Sequence, residues 1–347
     1  MTSHHAAAAP RGSRCSRGFV PALLAVVCAS GGCAVPPHPA PVPSRPEPLH
    51  RSAPAPAALG ILAMAHGGGP EWNGSVDAAL AGLRERIPVA LALGMANPHT
   101  LQAALDSLHR RGVGTVAVVR LFISGASFLH QTEYLFGLRP DPPERAMAGH
   151  RMVVGNDLSP LEVRGRILLE RTGLAGSREA ARILKDRVAA NAADPTETGI
   201  MLIAHGMGSE RANRDLLEMM EAGARDLRSA GYAEVRTATL REDWPVPRAR
   251  AEREIRTAVA EMGRHRSRVL VVPYRLSGFG PYAQVLDGLD YVPTGSLLPH
   301  PLVTDWIAAR ATDLFCAVRL ESPLGPCPDG TQLPSPLRAP SGISRSR

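Results

Sequence analysis

The feature that most limits how this chain can fold is one pattern that occurs twice. A run of apolar residues ends in Ala-His-Gly at residues 61–67, and the same pattern occurs at residues 200–206. A short, continuous apolar run that ends at a glycine predicts a buried strand of a parallel sheet leading into a turn. Because His66 and His205 lie 139 residues apart in matching contexts, the sequence predicts an internal duplication.

Three further landmarks recur in the same order. They are amphipathic helices at 73–87 and 213–227, β-branched strands at 116–124 and 269–277 that each precede a glycine, and Pro-Leu pairs at 160–161 and 301–302 that we expect to begin helices. Alternating strands and helices give a parallel sheet covered on both faces. We therefore predict an α/β protein with two lobes, at residues 59–195 and 196–320, each with a four-stranded parallel sheet of flavodoxin-like type.

The N-terminal sequence predicts export. Residues 1–33 resemble a signal peptide, with three arginines before an apolar stretch at 19–29 that is too short to span a membrane. The sequence before Cys33 resembles a bacterial lipoprotein cleavage site, which makes Cys33 a candidate for lipidation; plain signal cleavage and a retained anchor are the alternatives. A Pro/Ala-rich spacer follows at 34–58, and residues 321–347 are expected to form a disordered Pro-rich tail. We expect a periplasmic protein or a membrane-anchored lipoprotein.

The positive charge of the chain lies mostly outside the two lobes. The formal net charge is +7, and residues 59–320 contribute only +2 of it. This balance argues against a nucleic-acid groove, which needs clustered cations on a folded surface. Cys316 and Cys327 could pair in an oxidising compartment, or Cys316 could be a small buried side chain on a helix.

Both histidines are expected where ligands bind in open α/β sheets, beyond the carboxyl ends of the strands. A neutral imidazole there can bind a divalent metal ion or accept a proton near pH 7. The alternative is a structural histidine that is hydrogen-bonded to a neighbouring loop. His66-Gly-Gly-Gly also matches an oxyanion-hole pattern of lipases, but the chain has no Gly-x-Ser-x-Gly nucleophile turn and no Walker loop, so we expect neither a serine hydrolase nor a nucleotide cofactor.

A resemblance to a known family follows from these motifs taken together. The apolar strand into Ala-His-Gly, an Asn a few residues later, and the strands VAVVRLFISG (116–125) and VLVVPYRLSG (269–278) resemble the CbiX/SirB sirohydrochlorin chelatases over nearly all of 59–320. The resemblance implies two lobes facing across a cleft, in a monomer. It also implies a lyase that inserts Co²⁺, Ni²⁺ or Fe²⁺ into a polycarboxylate tetrapyrrole, as in cobalamin biosynthesis, with two histidines that hold the metal and assist loss of the pyrrole protons.

The resemblance also implies a set of site residues. The first histidine of the family corresponds to His66 and, in the second copy, to His205. The second histidine has no direct counterpart, because Phe128 stands at its position; the nearest candidate is His130, with Glu133 one turn later. Arg120 and Arg275, near the ends of the third strands, are candidates for binding substrate carboxylates. The predicted catalytic residues are His66 and His130, and the predicted metal ligands are His66, His205, His130 and Glu133.

Two functions remain open at this stage. One is a chelatase that places a divalent metal in a sirohydrochlorin-like ring. The other is an exported, non-catalytic protein that keeps the fold and binds a metal ion or a tetrapyrrole without turnover. The predicted export signal favours the second function, and the resemblance of the two copies favours the first.

Overall fold

The computed structural model describes residues 58–143, 158–192 and 194–328. The predicted signal peptide, Cys33 and nearly all of the predicted spacer lie outside these ranges, as do residues 329–347. None of the helices within the described ranges combines the length and the apolar character that a membrane crossing requires.

The first copy forms a four-stranded parallel sheet in the order β2-β1-β3-β4. The predicted helix at 73–87 is divided in two at Leu80. The elements are β1 (Ala58–Ala65), α1 (Pro70–Ala79), α2 (Ala81–Arg84), β2 (Val89–Leu93), α3 (Pro98–Arg110), β3 (Val113–Leu121), α4 (Leu129–Leu135), β4 (Arg166–Leu169) and α5 (Arg178–Ala189).

The second copy repeats this arrangement with the strand order β6-β5-β7-β8, again all parallel. Its elements are β5 (Thr198–Ala204), α6 (Glu210–Ser229), β6 (Glu234–Thr239), α7 (Pro245–His265), β7 (Arg268–Pro273), α8 (Tyr282–Val285), β8 (Val292–Pro293) and α9 (Pro301–Ala317). The predicted α/β class, the two lobes and the four parallel strands per lobe are confirmed.

The strand order explains the position of the two histidines. β1 and β5 are central strands with fully buried carboxyl-terminal halves, because both of their faces are covered. The chain leaves β1 toward β2 on one side and returns to β3 on the other, and the second sheet does the same around β5. His66 and His205 directly follow these strands, at the switch point where open α/β sheets form their ligand crevices.

One apolar core is shared by the two sheets. It joins Ile61 of β1, Ile200 of β5 and Trp306 of α9 in a single buried cluster. Two smaller cores lie on the outer faces, one between the first sheet and α3, the other between the second sheet and α7. The lobes are therefore joined through a continuous interior.

The last helix of each copy packs on the lobe formed by the other copy. Helix α5 lies against α6 and β7, and α9 lies against α1, α2, β3 and β4. Polar contacts fix this exchange: the Arg187 guanidinium on α5 donates to the carbonyl of Ser296 at 2.8 Å, and the Thr304 hydroxyl on α9 donates to the carbonyl of Ala79 at 2.7 Å. The boundary predicted at 195/196 divides the copies in sequence, but it separates α5 and α9 from the sheets that they cover.

The two Pro-Leu pairs do not both begin helices. Pro301 begins α9, but Pro160 and Leu161 lie in an irregular segment before β4, where the Leu161 amide donates to the carbonyl of Leu135 at 2.8 Å. A fixed φ suits an irregular segment as well as a first helical turn, so Pro-Leu alone does not separate the two.

The prediction places the start of the disordered tail too early in the chain. Cys316 of α9 and Cys327 form a disulfide, and Leu324 is buried. The Arg86 guanidinium donates to the carbonyls of Pro323 and Leu324 at 3.0 and 2.6 Å. Residues 321–328 are therefore part of the folded protein, and the alternative of an unpaired Cys316 is wrong.

Candidate functional site

A cleft of about 650 Å³ lies where the strands of both lobes end. Its walls come from the segments that follow β1, β3, β5, β6 and β7, so both copies contribute. The volume lies within the range of roughly 300–1,000 Å³ that is usual for small-molecule sites. His66 and His205 both line this cleft.

His66 is exposed and keeps one ring nitrogen available. Its Nδ1 lies 2.7 Å from the carbonyl of Gly67, and because a carbonyl only accepts, Nδ1 carries the hydrogen. The tautomer that follows has its lone pair on Nε2, for which no hydrogen-bond partner is found among the described residues. Gly67 has a φ of +85°, the left-handed turn that lets the chain leave the strand directly beside the histidine.

An asparagine closes the turn after each histidine. The side chain of Asn73 accepts from the amide of Gly68 at 2.8 Å and donates to its carbonyl at 3.0 Å. Asn213 accepts from the amide of Met207 at 3.0 Å in the second copy. The Asn noted in the sequence therefore fixes the loop that carries the histidine.

His205 has acceptors at both ring nitrogens. Its Nδ1 lies 3.0 Å from the carbonyl of Gly206 and its Nε2 lies 3.0 Å from Oδ2 of Asp243, with Glu242 4.0 Å away. Burial lowers the pKa of His205, but the hydrogen bond to Asp243 and the charge of Glu242 outweigh it, so the pKa is raised above its ordinary value. The geometry is that of an imidazolium paired with a carboxylate.

The turn after β6 creates this difference between the copies. The amide of Arg241 donates to the carbonyl of His205 at 2.6 Å, and the Trp244 ring stands edge-on to the imidazole at 6.0 Å between centroids. In the first copy the corresponding turn after β2 is Gly-Met-Ala-Asn (94–97), which carries no charged group. Sequence reasoning missed Asp243; the signal was an acidic pair three positions after the end of β6, a strand that neighbours β5.

Arg275, a predicted substrate-binding residue, lines the cleft and is already paired. Its guanidinium forms an ion pair with Glu242 and lies 5.7 Å from the centre of the Tyr282 ring. A Cβ on Gly280 would approach the guanidinium to 2.9 Å, so the backbone covers its other side. Arg275 therefore reaches the cleft as a fixed and neutralised cation.

Two solved structures are similar to this arrangement over most of its length. The sirohydrochlorin chelatase SirB from Bacillus subtilis subspecies spizizenii, in complex with cobalt, is 15% identical with a TM-score of 0.51, and SirB from Bacillus subtilis with Fe³⁺ is 14% identical with a TM-score of 0.52. Each match covers 76% of this chain and 99% of the other. The chain has the chelatase fold.

The two structures confirm the two-lobed fold that the sequence resemblance implied. A multi-domain protein from Deinococcus radiodurans, described as structurally similar to chelatases, is 17% identical with a TM-score of 0.48, covering 74% of this chain and 55% of the other. No protein-family profile and no curated protein sequence matches the chain significantly.

Arg120 is not at the rim of the chelatase-fold cleft. Its side chain is 0% exposed and donates to the carbonyls of Gly125 at 3.0 Å, Glu170 at 3.3 Å and Ser127. Burial lowers the pKa of this guanidinium to about 10. Side chains alternate along a strand, and Arg120 shares the outer face of β3 with Val116 and Val118. The interpretation of Arg120 as a substrate-binding residue is corrected: it braces the loop after β3.

His130 and Glu133 do not join His66 in the cleft. The Nε2 of His130 lies 3.1 Å from the carbonyl of Asp141. Glu133 is nearly buried and pairs with Arg171 at 2.9 Å and Arg139 at 3.3 Å, so its charge is committed to two guanidinium groups. No three His, Cys, Asp or Glu side chains of the described ranges are grouped as a metal site. Of the four predicted metal ligands, the cleft brings together His66 and His205.

Proposed function

We propose that the chain inserts a divalent metal ion, of the class Co²⁺, Ni²⁺ or Fe²⁺, into a tetrapyrrole held in the cleft. The observation that carries this proposal is the meeting of His66 with the His205–Asp243 pair in one cleft of a chelatase fold. A neutral imidazole nitrogen is a good ligand for these metals, and Nε2 of His66 offers it.

The reaction exchanges two pyrrole protons for one metal ion. The metal loses its hydration shell and forms bonds to the ring nitrogens, while both N–H protons leave. In this proposal Nε2 of His66 holds the incoming metal. The His205–Asp243 pair releases a proton to solvent and then accepts one from the ring, once for each pyrrole N–H.

A second candidate is capture of a metal ion or a tetrapyrrole without insertion. It is favoured by one observation: Asp243 holds Nε2 of His205, so His66 is the cleft histidine that keeps a nitrogen for the metal. The two functions share the same ligands and differ only in turnover.

The test follows the absorbance of free-base sirohydrochlorin, and in a parallel series that of free-base mesoporphyrin, with each metal and the full chain. We expect loss of the free-base bands above the uncatalysed rate. His66→Ala should reduce the rate of insertion to the uncatalysed rate. His130→Ala, a substitution outside the cleft, should leave the rate unchanged. A rate equal to the uncatalysed one with both rings rules out insertion. Ring binding that persists in that case identifies the protein as the non-catalytic binder.

We also propose that the protein works outside the cytoplasm. The Cys316–Cys327 disulfide supports this, since such bonds persist mainly in oxidising compartments. Fractionation of cells that make the full chain, with mass spectrometry of its mature N-terminus, tests it. A mature chain that begins at a lipidated Cys33 is the expected result, and Cys33→Ser should release the protein from the membrane. An unprocessed cytoplasmic chain contradicts the proposal.

A further inference from the structure

The walls of the cleft are unusually aromatic for this chain. Aromatic residues make up only 4% of the sequence, with 3 Trp, 5 Tyr and 6 Phe. Five of these residues lie along the cleft. Trp72, Phe128 and Trp244 are partly exposed there, whereas Phe122 and Tyr274 are buried behind its wall. Flat apolar side chains on both sides of a cleft favour a ligand with flat apolar faces.

The cations of the cleft are balanced by carboxylates of the same lobe. Arg275 is the only Arg or Lys among the described residues that line the cleft, and Glu242 pairs with it. The imidazole of His205 is paired with Asp243. The described walls therefore carry no surplus positive charge for an anionic ligand.

We infer that the cleft selects a tetrapyrrole with few carboxylates, gathered on one edge, over a ring with carboxylates all around it. This rests on the proposed function and narrows its substrate class, since it departs from the polycarboxylate ring implied by the sequence resemblance. Moving a carboxylate from water to an apolar wall where it has no partner costs more free energy than the new contact gains. A ring with acidic groups on one edge inserts its apolar edge and leaves the charges in water.

The test measures binding of metal-free rings to the full chain through quenching of tryptophan fluorescence. Trp72 and Trp244 report from the cleft, whereas Trp306 is in the core. The probes are mesoporphyrin, coproporphyrin and uroporphyrin, which carry two, four and eight carboxylates. We expect affinity to fall in that order, with about a tenfold or larger difference between the first and the last. Equal or tighter binding of uroporphyrin overturns the inference and leaves metal insertion untouched.

A variant that unpairs a cation provides the second measurement. Glu242→Gln frees Arg275 and should improve uroporphyrin binding several-fold without the same gain for mesoporphyrin. The matched control is Glu221→Gln, which unpairs Arg228 on α6, outside the residues that line the cleft. If Glu242→Gln leaves the ratio of uroporphyrin affinity to mesoporphyrin affinity unchanged, the neutralisation of Arg275 does not determine which ring binds. If none of the three rings binds, the proposed function fails together with this inference.

Discussion

Nε2 of His205 lies 3.0 Å from Oδ2 of Asp243, and the corresponding histidine of the first copy, His66, lies beside a turn without any acidic residue. Both histidines follow central strands of the same topology. The duplication has therefore placed two imidazoles at equivalent points and given them different partners. One can donate a lone pair to a ligand, while the other holds a proton against a carboxylate.

The charge of His205 should depend on Asp243. Because the pKa of His205 is raised in the folded protein, its protonation stabilises the fold fully at pH values below its ordinary pKa of 6.5, and this contribution is lost as the pH rises through the raised value. Asp243→Asn should lower the pKa of His205 and flatten that pH dependence. Proton NMR titration of the ring and denaturation at several pH values check both effects. Asp215→Asn, an exposed substitution on α6, is the control and should change neither.

Arg120 should matter for stability and not directly for ligand binding. Arg120→Met keeps the apolar stem but leaves the carbonyls of Gly125 and Glu170 without their donor. We expect the free energy of unfolding to fall by about 2–4 kcal/mol. Urea denaturation measures the loss. A fully stable variant with impaired ring binding would instead return Arg120 to the role of a substrate-binding residue.

Gly125 should not tolerate a side chain. A Cβ at this position would lie 2.3 Å from the carbonyl oxygen of Arg171, which is backbone and cannot move aside cheaply. Gly125→Ala should therefore destabilise the protein by about 3 kcal/mol or more, or prevent it from folding. Gly69→Ala meets no atom within 4 Å and is the matched control, with an expected change of about 0.5 kcal/mol or less. Thermal unfolding measurements that compare the stabilities of the two variants test this prediction.

The disulfide should contribute measurable stability. The bond closes a short loop, with Cys316 and Cys327 separated by 11 positions, for which the chain-entropy relation gives about 2–3 kcal/mol. Cys316→Ala, Cys327→Ser and the double variant should all lose the same amount, because each removes the same bond. Denaturation curves under non-reducing conditions test this equality. Losses that add in the double variant contradict a bond between the two residues.

The architecture was largely predictable, because it rests on local patterns. Buried strands that end in Ala-His-Gly gave the central strands of both sheets, and the alternation of elements gave the parallel order. The exchange of α5 and α9 was not predictable from the apolar stripe of a helix, because the stripe shows that a face is buried and not which sheet covers it.

The site was predictable only where residues follow strand ends. His66, His205 and Arg275 met this condition and line the cleft. Arg120 was misplaced because a position near a strand end says nothing of the face to which the side chain turns. Glu133 was misassigned because its partner Arg171 comes from a distant segment, and such pairing appears only once the chain is folded.

The exchanged helices set the order in which the protein can be completed during synthesis. The inner face of the first sheet is covered by α9, whose residues 301–317 are among the last of the folded region to leave the ribosome. Until they emerge, the apolar inner side of β1 and β3 is covered by α1 and α2 but lacks the rest of its native cover. The first lobe is thus the earlier one to be made and the later one to be finished, and a chain that stops before α9 leaves part of an apolar sheet exposed to the cell's quality control.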